Sequence, residues 1–182
     1  NWLMNNDDYR GIVTVDAKGL PQVQGMYDTP LKLTVTYRFA NPDWTLTWRQ
    51  GEIPPTHMPW GATYHGDRDS LIVTQGDNAC NTEDKAKQYL PPEEGKVFLH
   101  PTDPALSATQ RHQINWLSCI KSGERPAMDV EIGHHTVSLC ILGNLAYLLG
   151  RPLQWNQATR EIVGDEEARR LMSRPQRHPY HL

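Results

Sequence analysis

The stretch TQRHQINWLSCIKSGERPAMDVEIGHHTVSLCILGNLAYLLGRPLQW, residues 109–155, decides the fold because it encodes two helices joined by a short connection that contains Gly and Pro. The first helix is predicted over about 107–122. Ser107 and Gln110 have capping-box spacing, and Gly123 stands where a helix ends. The first helix therefore carries its own start and stop signals.

A second and more apolar helix is predicted from Asp129 or Glu131 to Leu149. Gly150 and Pro152 follow directly and end it. A helix that is apolar almost all round is normally buried on more than one side. We therefore predict that this is the central helix of the domain. Its apolar positions are Val137, Leu139, Cys140, Ile141, Leu142, Leu145, Ala146, Leu148 and Leu149.

Two segments upstream of the helices, 31–39 and 44–49, alternate apolar and polar residues with the period of a β-strand. They predict an antiparallel hairpin. Pairing Phe39 with Trp44 places every apolar side chain on one face, whereas a shift by one residue divides them between the two faces. This register predicts a four-residue loop, 40–43, or an equivalent bulge.

Shorter patterns predict the remaining elements. They are a strand at 11–15 followed by a turn at 16–19, a hairpin from 60–65 to 70–75 with a turn at 66–69, a helical turn near 84–88, an edge strand at 97–99, a small hairpin from 153–155 to 161–163, and a last short helix capped by Asp165.

Strands that precede helices indicate an α+β fold, with an open-faced, mainly antiparallel sheet and helices packed on one face. We predict a single domain over 1–182, sheet-rich in 1–104 and helix-rich in 105–182. The uncovered face of such a sheet favours a homo-oligomer or a partner domain.

Composition and charge exclude several function classes. The 182-residue chain has a formal net charge of −3 and no basic run, which argues against nucleic acid and anionic membranes as partners. The longest apolar run, 137–149, is interrupted by polar residues and is too short for a membrane span. Three cysteines without CxxC spacing argue against a disulfide framework. We interpret Cys119 and Cys140 as small buried residues, because both lie in helix patterns.

Familiar motifs of catalysis are missing, since the sequence has no GxGxxG after a strand, no GxxxxGK[ST], no HExxH and no GxSxG. Among eight histidines, His134 and His135 are adjacent, so on a helix their side chains point about 100° apart and share one metal ion poorly. We predict no metal site. The two are either structural or solvent-facing residues, or one projects from the start of the second helix towards a hydroxyl-rich or anionic ligand.

Arg111 and His112 lie near the start of the first helix of this pair and are further candidates for the rim of such a site. Four tryptophans, Trp44, Trp48, Trp60 and Trp116, suggest a platform for a sugar. We interpret them as core residues instead, because the first two fall on the apolar face of the predicted hairpin.

Several segments carry a resemblance to a known family. INWLSCIKSGERP (114–126) resembles the NFLDCVKSRKRP segment of the Gfo/Idh/MocA oxidoreductases, in particular of the bacterial subgroup with an extended C-terminal domain. EIGHH through LGNLAY (131–147) resembles the helix with the pattern E-x-G-H-R-S…L-x-N-I-A, with His135 where Arg is common. The run of similar segments covers most of 28–182. Further segments in family order are GATYHG through IVTQG (61–76), GRPLQW (150–155), VGDEEA (163–168) and SRP (173–175).

The resemblance implies that this chain is the C-terminal domain alone. Family members pair an N-terminal Rossmann domain, which binds NAD or NADP, with a sheet domain that closes over a sugar or polyol. The Lys-Pro motif and the Asp-x-x-x-His pair of the family are missing here, and we expect them in an upstream part, together with any export signal. The chain is expected to bind no cofactor alone and to be inactive without the Rossmann domain of the same protein.

Roles follow from the same resemblance. His134, His135, His112 and Arg111 are expected to bind substrate hydroxyls or to face the cofactor domain, and no residue of this chain is expected to be catalytic. The expected assembly is a homo-oligomer through the open sheet face. Two alternatives stay open: a domain of a related glycosidase that uses NAD catalytically, and a stand-alone binding or scaffold module.

Overall fold

The computed structural model describes residues 11–26, 29–40, 42–50, 61–74, 81–89, 107–173 and 177–179. The chain divides into two compact units. The sheet unit comprises residues 1–52 and 128–182, and the hairpin unit comprises residues 53–127. The single domain predicted over 1–182 stays a prediction.

Apart from β1, the helices and strands begin and end close to their predicted bounds. In chain order they are β1 (Ile12–Leu20), β2 (Lys32–Ala40), β3 (Asp43–Gln50), β4 (Gly61–His65), β5 (Ser70–Thr74), α1 (Thr82–Tyr89), α2 (Ala108–Ser122), α3 (Val130–Leu149), β6 (Leu153–Asn156), β7 (Glu161–Ile162) and α4 (Glu166–Leu171). The edge strand predicted at 97–99 lies outside the described residues.

The sheet unit is built on five strands in the order β3-β2-β1-β6-β7. Every neighbouring pair is antiparallel. The predicted α+β class with an open, antiparallel sheet is therefore confirmed. Although β6 and β7 follow the long helix in sequence, they pair beside β1, which places β1 in the centre of the sheet.

The turn predicted at 16–19 is wrong, because β1 continues through it and pairs with β2 as far as Leu20 opposite Lys32. Gly19 does not form a turn, and its lack of a side chain allows close packing. A Cβ at Gly19 would lie 2.7 Å from the Tyr147 ring and 2.7 Å from the Lys32 carbonyl oxygen. Pairing with β2 thus overrides the local turn preference of Asp16 and Gly19.

The predicted register of the β2–β3 hairpin is confirmed, with Phe39 opposite Trp44. The two rings stack at a centroid distance of 4.0 Å, with their planes 6° apart. The loop is shorter than predicted. Ala40 pairs with Asp43, so only residues 41–42 connect the strands.

The core of the sheet unit lies between the apolar face of the sheet and one side of α3. From the strands it takes Val13, Val15, Leu33, Val35, Tyr37, Phe39, Leu153, Trp155 and Ile162, all buried. From α3 it takes Leu142, Leu145 and Ala146. Asp129 caps the start of α3 and Gly150 ends it in a left-handed conformation, as predicted.

The prediction that α3 is buried on more than one side is wrong. His135, Ser138, Leu142, Leu145 and Ala146 are buried, whereas Val137 is 56% and Leu148 70% exposed. The whole helix is longer than the 137–149 run, and among the described residues it is the one helix that could cross a membrane by length and composition. A core helix meets the same criterion, and α3 packs against β1, so this is weak evidence for a span.

The hairpin unit contains β4, β5, α1 and α2. The β4–β5 hairpin and its turn at 66–69 are confirmed, as is the helical turn near 84–88, which lies in α1. Asn81 continues the β5 edge, because its side chain accepts a hydrogen bond from the Ile72 amide and donates one to the Ser70 carbonyl. The capping box of Ser107 and Gln110 and the left-handed Gly123 bound α2, as predicted.

The burial of the cysteines and tryptophans agrees only in part with the predictions. Cys119 is buried as predicted, but Cys140 is exposed. Trp44 packs against the core, whereas Trp48 is 47% and Trp116 55% exposed, so the core interpretation is wrong for Trp48 and Trp116. Trp60 lies outside the described residues.

An ion-pair cluster joins the end of α3 to the start of α4. Arg151 donates two hydrogen bonds to Asp165, at 2.9 and 3.0 Å, and a third to Glu167 at 2.7 Å. Asp165 also accepts the Ala168 amide as the predicted N-cap. The Arg151 hydrogen bonds, followed by the Ala168 amide, hold the pKa of Asp165 below its ordinary value.

This lowered pKa predicts how stability depends on pH. The charged Asp165 stabilises the folded chain above the ordinary aspartate pKa of about 3.9, and this contribution is lost as the pH falls through the lower folded pKa. Asp165→Asn should therefore be less stable than wild type at pH 7, and the difference should shrink below about pH 4. Urea unfolding between pH 7 and 3 checks this. Glu166→Gln is the control, because Glu166 is mostly exposed. A difference in stability between wild type and Asp165→Asn that stays constant from pH 7 to 3 would contradict the prediction.

Candidate functional site

The start of α3 positions two of the four predicted site residues. Asp129 accepts the Glu131 amide at 2.7 Å and so satisfies one of the free amides of the first turn. His134 and His135 follow in the second turn, where the helix dipole acts weakly because its effect falls off within the first turn. The argument from a helix N-terminus therefore contributes little to ligand binding at these two residues.

The two histidines point in different directions, as their adjacency predicts. Their ring centroids lie 6.2 Å apart, with the ring planes at 59°. His135 is only 9% exposed and belongs to the buried side of α3, whereas His134 is exposed. Of the two imidazoles, that of His134 is accessible to a ligand that arrives from solvent.

Sequence reasoning missed an ion pair beside His134. Arg160, in the turn between β6 and β7, donates to the carboxylate of Glu131. Glu131 lies three residues before His134, so the two side chains are neighbours on the helix surface. Arg160 adopts a left-handed φ of 57°, and Asn156 stabilises the turn by accepting the amides of residues 158 and 159. A contact between residues 29 positions apart leaves no local sequence signal.

Together, Glu131, His134 and Arg160 form a polar surface with hydrogen-bond donors and acceptors of both charge types. All three side chains are exposed. Such a group suits the hydroxyls of a polyol, which need alternating donors and acceptors.

The other two predicted residues, Arg111 and His112, lie near the start of α2 in the hairpin unit. Arg111 is half-buried and its amide donates to the Ser107 carbonyl within the helix, while His112 is exposed. Arg111 and His112 thus lie together in the hairpin unit, and His134 and His135 lie together in the sheet unit. That all four line one rim stays a prediction.

A Ser–His pair occurs on the β4–β5 hairpin, where His65 Nδ1 lies 2.8 Å from Ser70 Oγ. The nearby Asp69 is bonded to Lys85 and Tyr89. These bonds, with the Ser70 amide, lower the pKa of Asp69 to about 2, and the largest effect comes from Lys85. The Asp69 carboxylate is hydrogen-bonded to Lys85 and Tyr89 and not to His65. We therefore interpret His65–Ser70 as a cross-strand contact and not as a catalytic relay.

Metal ions and dinucleotides are two further kinds of ligand. Within the described ranges, no group of three or more His, Cys, Asp or Glu side chains is arranged to hold a metal ion. A dinucleotide site needs a Gly-rich turn between a strand and a helix in a parallel sheet. The strands of both described sheets pair antiparallel, and the sequence has no GxGxxG, so the described residues do not form a site of this kind for NAD or NADP.

Comparison with known families gives one match. The family model described as oxidoreductase family, C-terminal alpha/beta domain, matches residues 60–182. The chain belongs to the Gfo/Idh/MocA oxidoreductases. Proteins of this family are usually NAD(P)-dependent through their N-terminal domain. No curated protein and no solved structure matches the chain.

The match places this chain as the C-terminal domain of a Gfo/Idh/MocA oxidoreductase. The matched residues include both long helices and all four candidate residues, Arg111, His112, His134 and His135. The strands β1 to β3 precede the matched part.

Proposed function

We propose that this chain is the substrate-binding and oligomerisation domain of an NAD(P)-dependent sugar or polyol oxidoreductase, inactive without its Rossmann domain. The observation that supports this most is the family match over residues 60–182. The antiparallel sheets are consistent with it, because hydride transfer requires a dinucleotide site that these strands do not form.

In this proposal the residues of the chain bind and orient the substrate. His134 is the first candidate, because it is exposed and lies beside the Glu131–Arg160 ion pair. His112 and Arg111 are candidates on the hairpin unit, and His135 supports the helix surface from its buried side. The bound cofactor supplies the hydride chemistry, while the chain contributes hydrogen bonds to hydroxyls.

Oligomerisation is proposed through the open face of the sheet. The face opposite α3 carries polar side chains, several of them half-buried, which suits a wet contact between copies. They include Thr14, Asp16, Thr34, Thr36 and Arg38.

The proposal is tested by cofactor titration and a substrate panel. The 182-residue chain is expected to show no saturable change in NAD(P)H fluorescence, whereas the protein with its Rossmann domain should bind the cofactor and oxidise a sugar or polyol. Saturable NAD binding by the chain alone would contradict the proposal. Cleavage of a glycoside with only catalytic NAD would identify a hydrolase instead.

The role of His134 is tested in the protein that contains both domains. His134→Ala should raise KM for the polyol about 2- to 10-fold, because a hydrogen bond to a substrate hydroxyl is lost, while the Kd for cofactor stays unchanged. Asn144→Ala is the matched control, since Asn144 is exposed on the same helix. An unchanged KM in His134→Ala would remove His134 from the site.

A further inference from the structure

Strand β3 is an edge strand that is exposed along almost its whole length. Within the described part of the chain it pairs with β2 alone. Seven of its eight residues are exposed, including Leu46 at 39% and Trp48 at 47%. Such an edge directs half of its backbone amides and carbonyls away from β2, and no described strand pairs with them, so they can pair with another strand.

The sequence of β3, DWTLTWRQ, does little to prevent pairing. Natural edge strands are protected by Lys, Pro, bulges or short length. This strand contains neither Lys nor Pro, and its eight residues pair with β2 without a bulge. Its one positive charge is Arg49, at the end of the strand.

The strand is also complementary to itself. In an antiparallel pair centred on Leu46, Trp44 lies opposite Trp48 of the second copy, and Thr45 lies opposite Thr47. Asp43 lies opposite Arg49 of the second copy, and the two-fold axis repeats this pair at the other end. A shift by one residue would place each tryptophan opposite a polar side chain, because opposed residues share a face.

We propose that β3 pairs edge to edge with β3 of a second copy of this chain, in the antiparallel register centred on Leu46. This contact joins two five-stranded sheets into one. Charge complementarity between Asp43 and Arg49 selects a copy of the same chain as the partner. The contact uses the edge of the sheet, so it differs from the open-face contact and does not depend on the substrate or cofactor.

Charge exchange tests both the partner and the register. Asp43→Arg and Arg49→Asp should each weaken association about tenfold in sedimentation equilibrium, because two opposite-charge pairs become like-charge pairs. The double variant should restore wild-type association, since both pairs re-form with the charges exchanged. Both side chains are exposed, so folding should be unaffected, and circular dichroism checks this. A double variant as weak as the single ones would overturn the proposal.

Thiol cross-linking tests the register by geometry, in a background with Cys80→Ser and Cys140→Ser. Leu46→Cys places two thiols opposite each other at the two-fold axis, with Cβ atoms about 5 Å apart. Trp48→Cys, on the same face, places the two thiols of the pair four residues apart along the strands, a distance of about 13 Å. A short thiol cross-linker should therefore link only the first variant. Equal cross-linking of the two variants would contradict edge pairing, as would a chain that stays monomeric at all concentrations. Arg38→Asp changes the open face of the sheet, so a dimer that is lost only in this variant would also contradict edge pairing.

Discussion

Replacing Leu142 by Ala is expected to lower the free energy of unfolding by about 2–5 kcal/mol, the range for large-to-small changes in a packed core. Leu142 is fully buried, at 0% exposure, in the layer between α3 and the sheet. The change removes the transfer free energy of the buried side chain and leaves a cavity, because rigid strands on the other side can relax only partly.

The matched control is Leu148→Ala, which makes the same chemical change on the same helix. Leu148 is 70% exposed, so its replacement should change stability by less than about 0.5 kcal/mol. Urea unfolding followed by far-ultraviolet circular dichroism and tryptophan fluorescence measures both. Equal losses in the two variants would mean that the two sides of α3 are buried to the same extent, against the structure.

A second large effect is expected at Gly143, where Gly143→Ala should lower stability by up to about 2 kcal/mol although Ala is the better helix former. A Cβ at this position would lie 2.8 Å from the Tyr37 hydroxyl and 3.0 Å from Val35 Cγ1. Tyr37 cannot move freely, because its hydroxyl donates to the Leu139 carbonyl at 2.8 Å. Burial raises the pKa of Tyr37 above its ordinary value, so the hydroxyl stays a donor. Overpacking of about 1–3 kcal/mol therefore exceeds the helix preference of about 1 kcal/mol.

Gly133→Ala is the internal control for this prediction. Gly133 lies in the same helix, and among the described residues a Cβ there would meet no atom within 4 Å apart from its chain neighbours and the backbone of its own helix. The substitution should therefore stabilise the chain by up to about 1 kcal/mol. The two Gly→Ala changes are expected to have opposite signs in thermal and urea unfolding. A stabilised Gly143→Ala would show that the helix and sheet are less closely packed than the distances imply.

The candidate site was predictable only in part. The adjacency of His134 and His135 is enough to predict that their rings diverge. The Arg160–Glu131 ion pair was not predictable, because the β6–β7 turn brings Arg160 to α3 from 29 residues away. A sequence pattern reports neighbours along one element, whereas this contact depends on how β6 and β7 pair beside β1.

The sequence by itself determined the β2–β3 register and the two ends of α3. Alternation with period two placed Phe39 opposite Trp44, and the signals at Asp129 and Gly150 bounded α3, because each depends on backbone geometry within a few residues.

Tertiary structure alone decided which apolar side chains are covered. A helix about 10 Å wide covers roughly two strands spaced about 4.8 Å apart. Because α3 packs against the central strand β1, Trp48 on the edge strand and Leu148 on the outer side of the helix remain exposed despite their apolar patterns. Hydrophobic periodicity identifies the face that favours burial, but the width and position of the neighbouring element determine how much of that face is buried.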